Sequence, residues 1–322
     1  MTSALLFDRN EVEEVEDWIE QLGRLGRKSI LWIDLDGADR RQLDEVADGL
    51  ELSRTSVEKL VDDDKRPYFG DFGKYLHVTA FAPSRRDGKP DSVKVDCLFS
   101  EQWFVTVHDT PVEVFDDFRE RMTSSSGDVG RLDGAEFLAD LLAWVLEAYL
   151  GEFEAIELTL EEFDARVMRG RHDDAEEELA RLVEVRQQIG RLRRALVSHR
   201  GMFLALAQPE LEAITSSEHA HRFRTLRGQL EEVVQVARDS RDAVFGSFDV
   251  LIARTEQRTN DIMKLLTLGA FLFLPGALIA GVLGMNFRLE FFETGWYFWV
   301  VCAAIVAIGA ATFAVARMRE WI

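Results

Sequence analysis

The chain has 322 residues, 47% of them hydrophobic, which is enough for a soluble domain of ordinary size together with a membrane segment. Its formal net charge of −20 argues against nucleic acid as a partner, because the phosphate backbone repels an acidic surface. The two cysteines, Cys97 and Cys302, imply no disulfide framework, and residues 1–22 lack the pattern of a cleaved signal peptide, so we expect a reducing cytoplasmic environment.

The first third of the chain predicts an α/β domain. Apolar residues at helical spacing alternate with short runs that are continuous, alternating or β-branched. Helices are expected over 11–25, 40–49, 53–62 and 112–122, and strands over 28–36, 75–82, 92–99 and 103–108. Ser53 is the expected N-cap of the third helix, and residues 85–90 are an expected turn between strands.

The middle of the chain predicts helices almost without interruption. Residues 123–130, T-S-S-S-G-D-V-G, form the expected boundary before them. Long amphipathic segments follow over 134–150, 153–168 and 174–206, with Gly151 as an expected break. From residue 223 to 284 the pattern indicates nearly one helix of about 60 residues, or roughly 90 Å. A helix of that length needs partners along its sides, from its own chain or from other copies.

Two uncharged runs close the sequence, over 265–287 and 294–316. Each is about 23 residues, or roughly 34 Å as helix, against about 30 Å for a bilayer core. The connection between them is so short that the two runs must form a helical hairpin. Basic residues flank the hairpin, at Lys264 before it and at Arg317 and Arg319 after it. The positive-inside rule therefore predicts that both termini and the large domain are cytoplasmic.

We therefore expect an α+β membrane protein in three parts. Residues 1–130 are the predicted N-terminal α/β cytoplasmic domain, and 131–263 the helical bundle and stalk helix. Residues 264–322 are the transmembrane hairpin with a short basic tail, and its spans are 264–286 and 294–316.

The first span ends in Gly284-Met285-Asn286. This tripeptide, at the outer end of the first of two final spans, resembles the CorA family of divalent-cation channels. Further similar residues lie at the start, middle and end of the span, at Thr259, Asn260, Met263, Lys264, Pro275, Ala280 and Gly281. The resemblance implies a homopentamer in the plasma membrane that moves Mg²⁺, and also Co²⁺ or Ni²⁺, through one central pore. It implies contact with membrane lipid, no enzyme activity and no cofactor besides the transported ion.

The resemblance also assigns a pore-facing stripe on the first span. Its members recur every three or four residues: Asn260, Met263, Leu266, Ala270, Leu274, Ala277, Gly281 and Gly284. The stripe holds no carboxylate, and Mg²⁺ dehydrates reluctantly, so a lumen of this kind would pass the hydrated ion. The alternative is that the stripe is a helix-packing surface with small residues for close contact.

The tripeptide would form the pore entrance, where the Asn286 amide offers a carbonyl oxygen to the water shell of an entering ion. The alternative is that Asn286 only caps the helix. The following loop departs from the Met-Pro-Glu-Leu run common in the family, since residues 288–294 read R-L-E-F-F-E-T. Glu290 and Glu293 either attract cations to the entrance or are hydrated loop residues.

Regulation is the second departure from the family. Magnesium-regulated members carry acidic residues at two positions that form an intersubunit Mg²⁺ site, and here those positions hold Lys59 and Thr225. We therefore expect closure by cytoplasmic Mg²⁺ to be weak, absent or differently arranged. The same departure keeps open a zinc-transporting, ZntB-like alternative, with or without proton coupling.

Three other interpretations explain the sequence less well. A structural zinc site is disfavoured because His219 and His221 are two residues apart, and so point to different sides of a helix. Asp34-x-Asp36 after an apolar strand is a pattern of haloacid-dehalogenase phosphatases, but the remaining residues of that site are missing. A membrane-tethered scaffold without transport would explain the helices and not the tripeptide. No phosphate-binding loop for ATP is present.

Overall fold

The computed structural model describes residues 2–8, 11–26, 29–62, 64, 66–86, 89–110, 115, 118–120, 122, 133–169, 175–208, 217–285 and 295–318. The chain divides into two compact units. The first unit consists of Met1–Ala165 with Glu176–Phe248, and the second of Arg166–Ala175 with Asp249–Ile322. The three-part division expected from the sequence stays a prediction.

A mixed sheet forms the centre of the first unit. Its strands are β1 (Thr2–Asp8), β2 (Glu11–Glu14), β3 (Ser29–Asp36), β4 (Tyr68–Asp71), β5 (Leu76–Arg86), β6 (Lys89–Phe99) and β7 (Trp103–His108). They form a 7-stranded sheet in the order β2-β1-β3-β7-β6-β5-β4. Only the β3–β7 pairing is parallel among these described strands, and all other neighbours are antiparallel.

Strand β3 is buried on both faces, which explains why its sequence is a continuous apolar run rather than an alternating one. Leu31 and Ile33 pack into a cluster with Val46 from a neighbouring helix. On the opposite face, the Trp32 ring lies 5.2 Å from that of Phe137, centroid to centroid. The sheet is therefore covered by helices on both sides.

Three short helices cover one side: α1 (Trp18–Leu22), α2 (Arg40–Gly49) and α3 (Arg54–Val61). Helix α2 begins with a capping box between Asp39 and Gln42, and the Ser53 hydroxyl accepts from the Ser56 N–H at 3.1 Å, as expected of the N-cap of α3. The helix predicted over 11–25 is wrong in its first half. Residues Glu11–Glu14 instead pair with β1 as strand β2, because an open sheet edge outweighed a weak local helical pattern.

Long helices make up the rest: α4 (Gly134–Met168), α5 (Ala175–Ser198), α6 (Arg200–Leu206), α7 (Ser217–Gly284) and α8 (Trp296–Met318). The expected break at Gly151 is wrong, since α4 runs through it. A mid-helix glycine costs about 1 kcal/mol, and burial of Tyr149 and Phe153 on either side exceeds that cost. The break between α5 and α6 falls at His199, whose backbone N–H donates to the Leu196 carbonyl at 3.2 Å.

His199 joins the helices to the sheet. Strand β4 pairs with β5 only as far as Thr79, so the backbone of Phe81 lacks a strand partner on that edge. The Phe81 N–H donates to His199 Nε2 at 2.8 Å, and the Tyr149 hydroxyl donates to the Phe81 carbonyl at 2.9 Å. Burial lowers the pKa of His199 to about 4, so the ring is neutral and can accept this hydrogen bond.

The second unit contains the apolar helices. Within the described residues, two helices are long and apolar enough to cross a membrane, the C-terminal part of α7 and the whole of α8. The predictions of an N-terminal α/β domain, a long helix and two candidate transmembrane helices are confirmed.

Candidate functional site

The apolar end of α7 is a helix without formal charge from Leu265 to Gly284. It runs through Pro275, which has no N–H to donate to the carbonyl four residues earlier. Such prolines are tolerated in membrane helices, where neighbouring groups compensate for the missing bond. The sequence therefore gives α7 a continuous span with one weakened turn near its middle.

One face of this span contacts α8. A Cβ on Gly276 would lie 3.2 Å from Cγ2 of Ile305, and a Cβ on Gly309 would lie 3.5 Å from Cδ1 of Leu272. The two helices thus approach closely where each has a glycine, as is common in membrane helix pairs. Toward the start of the span they separate around an apolar cavity of about 500 Å³ that Leu268 and Ile308 help to line.

The opposite face carries the stripe predicted from the sequence. At about 100° per residue, Leu274 is about 200° around the helix from Leu272, and therefore on the far side from α8. All eight stripe residues are exposed in the single chain: Asn260, Met263, Leu266, Ala270, Leu274, Ala277, Gly281 and Gly284. The structure brings them together on one uncharged face to which α8 makes none of the close contacts described above.

The predicted entrance is described only in part. Helix α7 ends at Gly284, and the Met285 N–H donates to the Val282 carbonyl at 3.3 Å. Asn286, Glu290 and Glu293 lie outside the described residues. Their roles remain predictions from the sequence.

Lys59 and Thr225, which the resemblance in the sequence predicts to be the regulatory positions, offer no anionic ligand. Lys59 Nζ lies 2.8 Å from an Asp62 carboxylate oxygen and 3.9 Å from one of Asp64. The hydrogen bond with Asp62 raises the pKa of Lys59, which keeps the ammonium charged. Thr225 donates its hydroxyl to the His221 carbonyl at 3.2 Å, one turn earlier in the same helix. A cation would meet the positive charge of Lys59 at the first position and, at the second, the Thr225 hydroxyl, which already donates to a backbone carbonyl.

Two nearby carboxylates, Asp62 and Asp64, already have cationic partners from this chain. The hydrogen bond from Lys59 lowers the pKa of Asp62, and that from Arg66 lowers the pKa of Asp64. In the described part of the chain, no group of three or more His, Cys, Asp or Glu side chains is placed to hold a metal ion. His219 instead lies against Asp133, with Nε2 and a carboxylate oxygen 3.1 Å apart.

Asp34, the first carboxylate of the Asp-x-Asp pattern, is buried in a polar network inside the first unit. It accepts from Thr106 Oγ1 at 2.5 Å and from Arg119 at 2.6 Å, and lies 3.2 Å from His108 Nε2. Burial opposes ionisation, yet the hydrogen bonds from His108 and Thr106 and the charges of His108 and Arg119 together lower the pKa of Asp34. Burial alone would lower the pKa of His108, but the hydrogen bond with Asp34 raises it above its ordinary value. The buried carboxylate therefore joins β3 to β7 and to Arg119.

Sequence reasoning missed these partners of Asp34. The parallel register pairs Asp34 with Thr106 and Asp36 with His108 across β3 and β7. The available signal was Thr106 and His108, two polar residues at alternate positions in the second half of a strand that is otherwise apolar.

Comparison with known proteins identifies this architecture. The model of a family described as CorA-like Mg²⁺ transporter protein matches residues 27–317. The chain belongs to this family. Its members are transporters rather than enzymes, and the resemblance noted in the sequence is confirmed.

Individual relatives agree with the family. The cobalt/magnesium transport protein CorA of Thermotoga maritima is 21% identical over 295 residues, which cover 90% of this chain and 83% of the relative. The complete CorA magnesium transporter structure from Methanocaldococcus jannaschii has a TM-score of 0.79 at 18% identity, with 99% of this chain and 98% of the other covered. The ZntB cytoplasmic domain from Vibrio parahaemolyticus has a TM-score of 0.60 at 13% identity, covering 79% and 98%. At such identities the structural matches establish the fold alone.

Proposed function

We propose that this CorA-family chain assembles as a homopentamer and conducts Mg²⁺, with Co²⁺ and Ni²⁺ as further ions, through a central pore lined by α7. The observation that carries the proposal is the uncharged stripe of α7 on the side away from α8. One hairpin cannot enclose a path for an ion, so the stripe needs copies of itself to complete a lumen.

The composition of the stripe supports passage of a hydrated ion. It contains an amide, small residues and apolar side chains, and no carboxylate that would hold a divalent cation tightly. A ring of Asn286 amides at the external entrance would accept hydrogen bonds from the water shell, and Glu290 and Glu293 would raise the local cation concentration. With the large domain and both termini cytoplasmic in the plasma membrane, an inside-negative potential would drive entry with about 4.6 kcal/mol per 100 mV for a divalent ion.

Thiol labelling of two leucines tests the pore face. In a Cys302→Ala background, Leu274→Cys lies on the stripe and Leu272→Cys lies against α8. The two variants differ by two positions in one helix and by nothing in residue type. A water-soluble thiol reagent should block Mg²⁺ flux into proteoliposomes for Leu274→Cys and leave Leu272→Cys conducting. Equal sensitivity of the two variants would refute a pore on the stripe.

Asn286→Ala tests the entrance. We expect Mg²⁺ uptake to be abolished while size-exclusion chromatography gives the same oligomer as the wild type. Unchanged flux in this variant would remove the assigned role of the amide.

We further propose that cytoplasmic Mg²⁺ does not close this channel through the usual intersubunit site. The support is the Lys59 ammonium, paired with Asp62, at a position where regulated relatives place a carboxylate. Limited proteolysis of the protein in detergent should give the same pattern with Mg²⁺ and with EDTA. Strong protection by Mg²⁺ would contradict the proposal.

A ZntB-like zinc transporter is the second candidate, and the lack of an acidic regulatory pair favours it. Competition between Mg²⁺ and Zn²⁺ in proteoliposomes, with and without a pH gradient, distinguishes the two. Zinc flux that follows the gradient and persists in excess Mg²⁺ would favour the second candidate. Vesicles impermeable to both ions would favour a scaffold without transport.

A further inference from the structure

A cluster of arginines surrounds one cavity in the first unit, between α5 and α7. The cavity has a volume of about 620 Å³, within the usual range for small-molecule sites. Its basic lining residues are Arg186, Arg191, Arg193, Arg194 and Arg241. None of its described lining residues is acidic. This concentration of positive charge contrasts with the net charge of −20 for the whole chain.

Within the described part of the chain, the α5 arginines that line the cavity form no ion pair, unlike Arg181 of the same helix, which pairs with Glu177 at 2.7 Å. In the described part of the chain, Arg191 and Arg193 have no ion-pair partner, and the Nε atom of each is buried without a hydrogen bond. Arg241 is the exception, since it donates to its neighbour Asp242 at 2.8 Å. Like charges held close together are unfavourable unless an anion joins them. The cluster therefore lacks the counter-charge that would stabilise it.

The backbone of α5 makes room inside this cluster. Gly190 lines the cavity one helical turn from Arg186 and one from Arg194. A Cβ at this position would be 3.4 Å from a terminal nitrogen of Arg194, so the missing side chain lets that guanidinium lie close to the helix. Glycine in a helix costs about 1 kcal/mol relative to alanine, and here it leaves a hollow between charged groups.

An aromatic ring stands at the edge of the cavity. Phe245 of α7 is 45% exposed, and the Arg186 guanidinium carbon lies 5.5 Å from its ring centroid. An exposed aromatic beside a stacked guanidinium offers a flat surface next to the positive charge. Guanidinium forks match the geometry of carboxylate and phosphate oxygens, and a chain of phosphates offers several such groups to neighbouring arginines.

We propose that this cavity binds a small molecule with an oligophosphate chain. Arg191, Arg193 and Arg194 hold the phosphates, and Gly190 provides the space for them. Phe245 and Arg186 are placed to stack on a planar ring if the ligand carries one. The site lies outside the membrane segments and is separate from the proposed conduction path.

Calorimetric titration of the full-length protein in detergent tests the site, with tripolyphosphate, ATP and orthophosphate as probes. All titrations contain EDTA, so that removal of Mg²⁺ from the protein cannot produce the signal. We expect tripolyphosphate and ATP to bind, with affinity that falls as salt rises, and orthophosphate to bind much more weakly. If ATP binds more tightly than tripolyphosphate, the surface formed by Phe245 and Arg186 contacts the base. If the two affinities are equal, the site recognises the phosphate chain alone.

Three variants separate a defined site from general attraction. Arg191→Gln with Arg193→Gln should weaken binding by about tenfold or more, since each lost bond to a charged group is worth about that much. Gly190→Leu fills the hollow at unchanged charge and should weaken binding similarly. The control, Arg227→Gln with Arg238→Gln, removes equal charge from exposed positions of α7 outside the cavity and should change affinity less than about twofold.

Two results would overturn the proposal. One is the absence of binding by both tripolyphosphate and ATP at low salt. The other is equal weakening by the cavity variant pair and the control pair. If the first pair instead changed the oligomer size in a protein that binds neither probe, the arginines would be partners for carboxylates of another copy.

Discussion

Replacing His199 with glutamine should remove a pH dependence from the stability of the first unit. The buried ring accepts the Phe81 N–H through Nε2, and its Nδ1 lies 3.2 Å from the Leu196 carbonyl, which fixes the neutral tautomer with the proton on Nδ1. A second proton would point Nε2–H at the Phe81 N–H and destroy that bond. Glutamine can accept from the same N–H and never becomes charged in this range.

The magnitude follows from the two pKa values. Burial lowers the pKa of His199 from 6.5 to about 4 in the folded protein. As the pH falls below about 6.5 the unfolded chain binds a proton that the folded chain does not, so stability present at neutral pH is lost. Between pH 7 and pH 5 this loss amounts to about 2 kcal/mol. It ends near pH 4, where the folded protein also binds the proton.

The assay is urea unfolding of wild type and His199→Gln in detergent at several pH values, followed by circular dichroism. Carboxylates titrate in the same range in both proteins, so only the difference between the two free energies of unfolding is interpreted. That difference should shift by about 2 kcal/mol in favour of the variant from pH 7 to pH 5. Parallel curves would refute the argument that a neutral, buried His199 supports the Phe81 backbone.

Three further predictions follow from individual contacts. Asp34→Asn should destabilise the protein by about 1–3 kcal/mol at pH 7, because a neutral amide replaces the buried carboxylate that accepts from Thr106 and Arg119. The pKa of Asp34 is lowered in the folded protein, so the stability that its carboxylate contributes is lost as the pH falls below the ordinary carboxyl range. In urea unfolding, the difference in free energy of unfolding between wild type and variant should therefore become smaller at low pH. Lys94→Gln should lower the free energy of unfolding by about 1–3 kcal/mol, because Lys94 Nζ donates to two carbonyls at the end of α3 at 2.7 and 2.9 Å. An unchanged urea midpoint would contradict this. Gly276→Val should lower the thermal midpoint of unfolding in detergent, because the added side chain overpacks the contact between α7 and α8. The control Gly269→Val places the same side chain in open space and should have a smaller effect. Equal effects of the two variants would place the close contact elsewhere.

The sequence was sufficient for the features that depend on local composition. An uncharged run of span length is apolar whatever its neighbours are, so both candidate membrane helices were predicted, the second over 294–316 and found at Trp296–Met318. The same holds for strand β7, predicted over 103–108 and found at Trp103–His108. The Ser53 cap is a local contact between residues three apart, and it too was predictable.

Partnership between distant residues was decided only by the tertiary structure. Asp34 and Thr106 are 72 positions apart, and Phe81 and His199 are 118 apart, yet each pair is joined by a hydrogen bond. The local sequence does not predict which edge of a strand lacks a partner strand, or which helix packs against that edge. The sequence likewise showed the spacing of the stripe on α7, but packing of glycines against α8 decided which face of the helix remains free. Periodicity depends on one residue and its near neighbours, whereas a buried polar group needs a partner supplied by the whole fold.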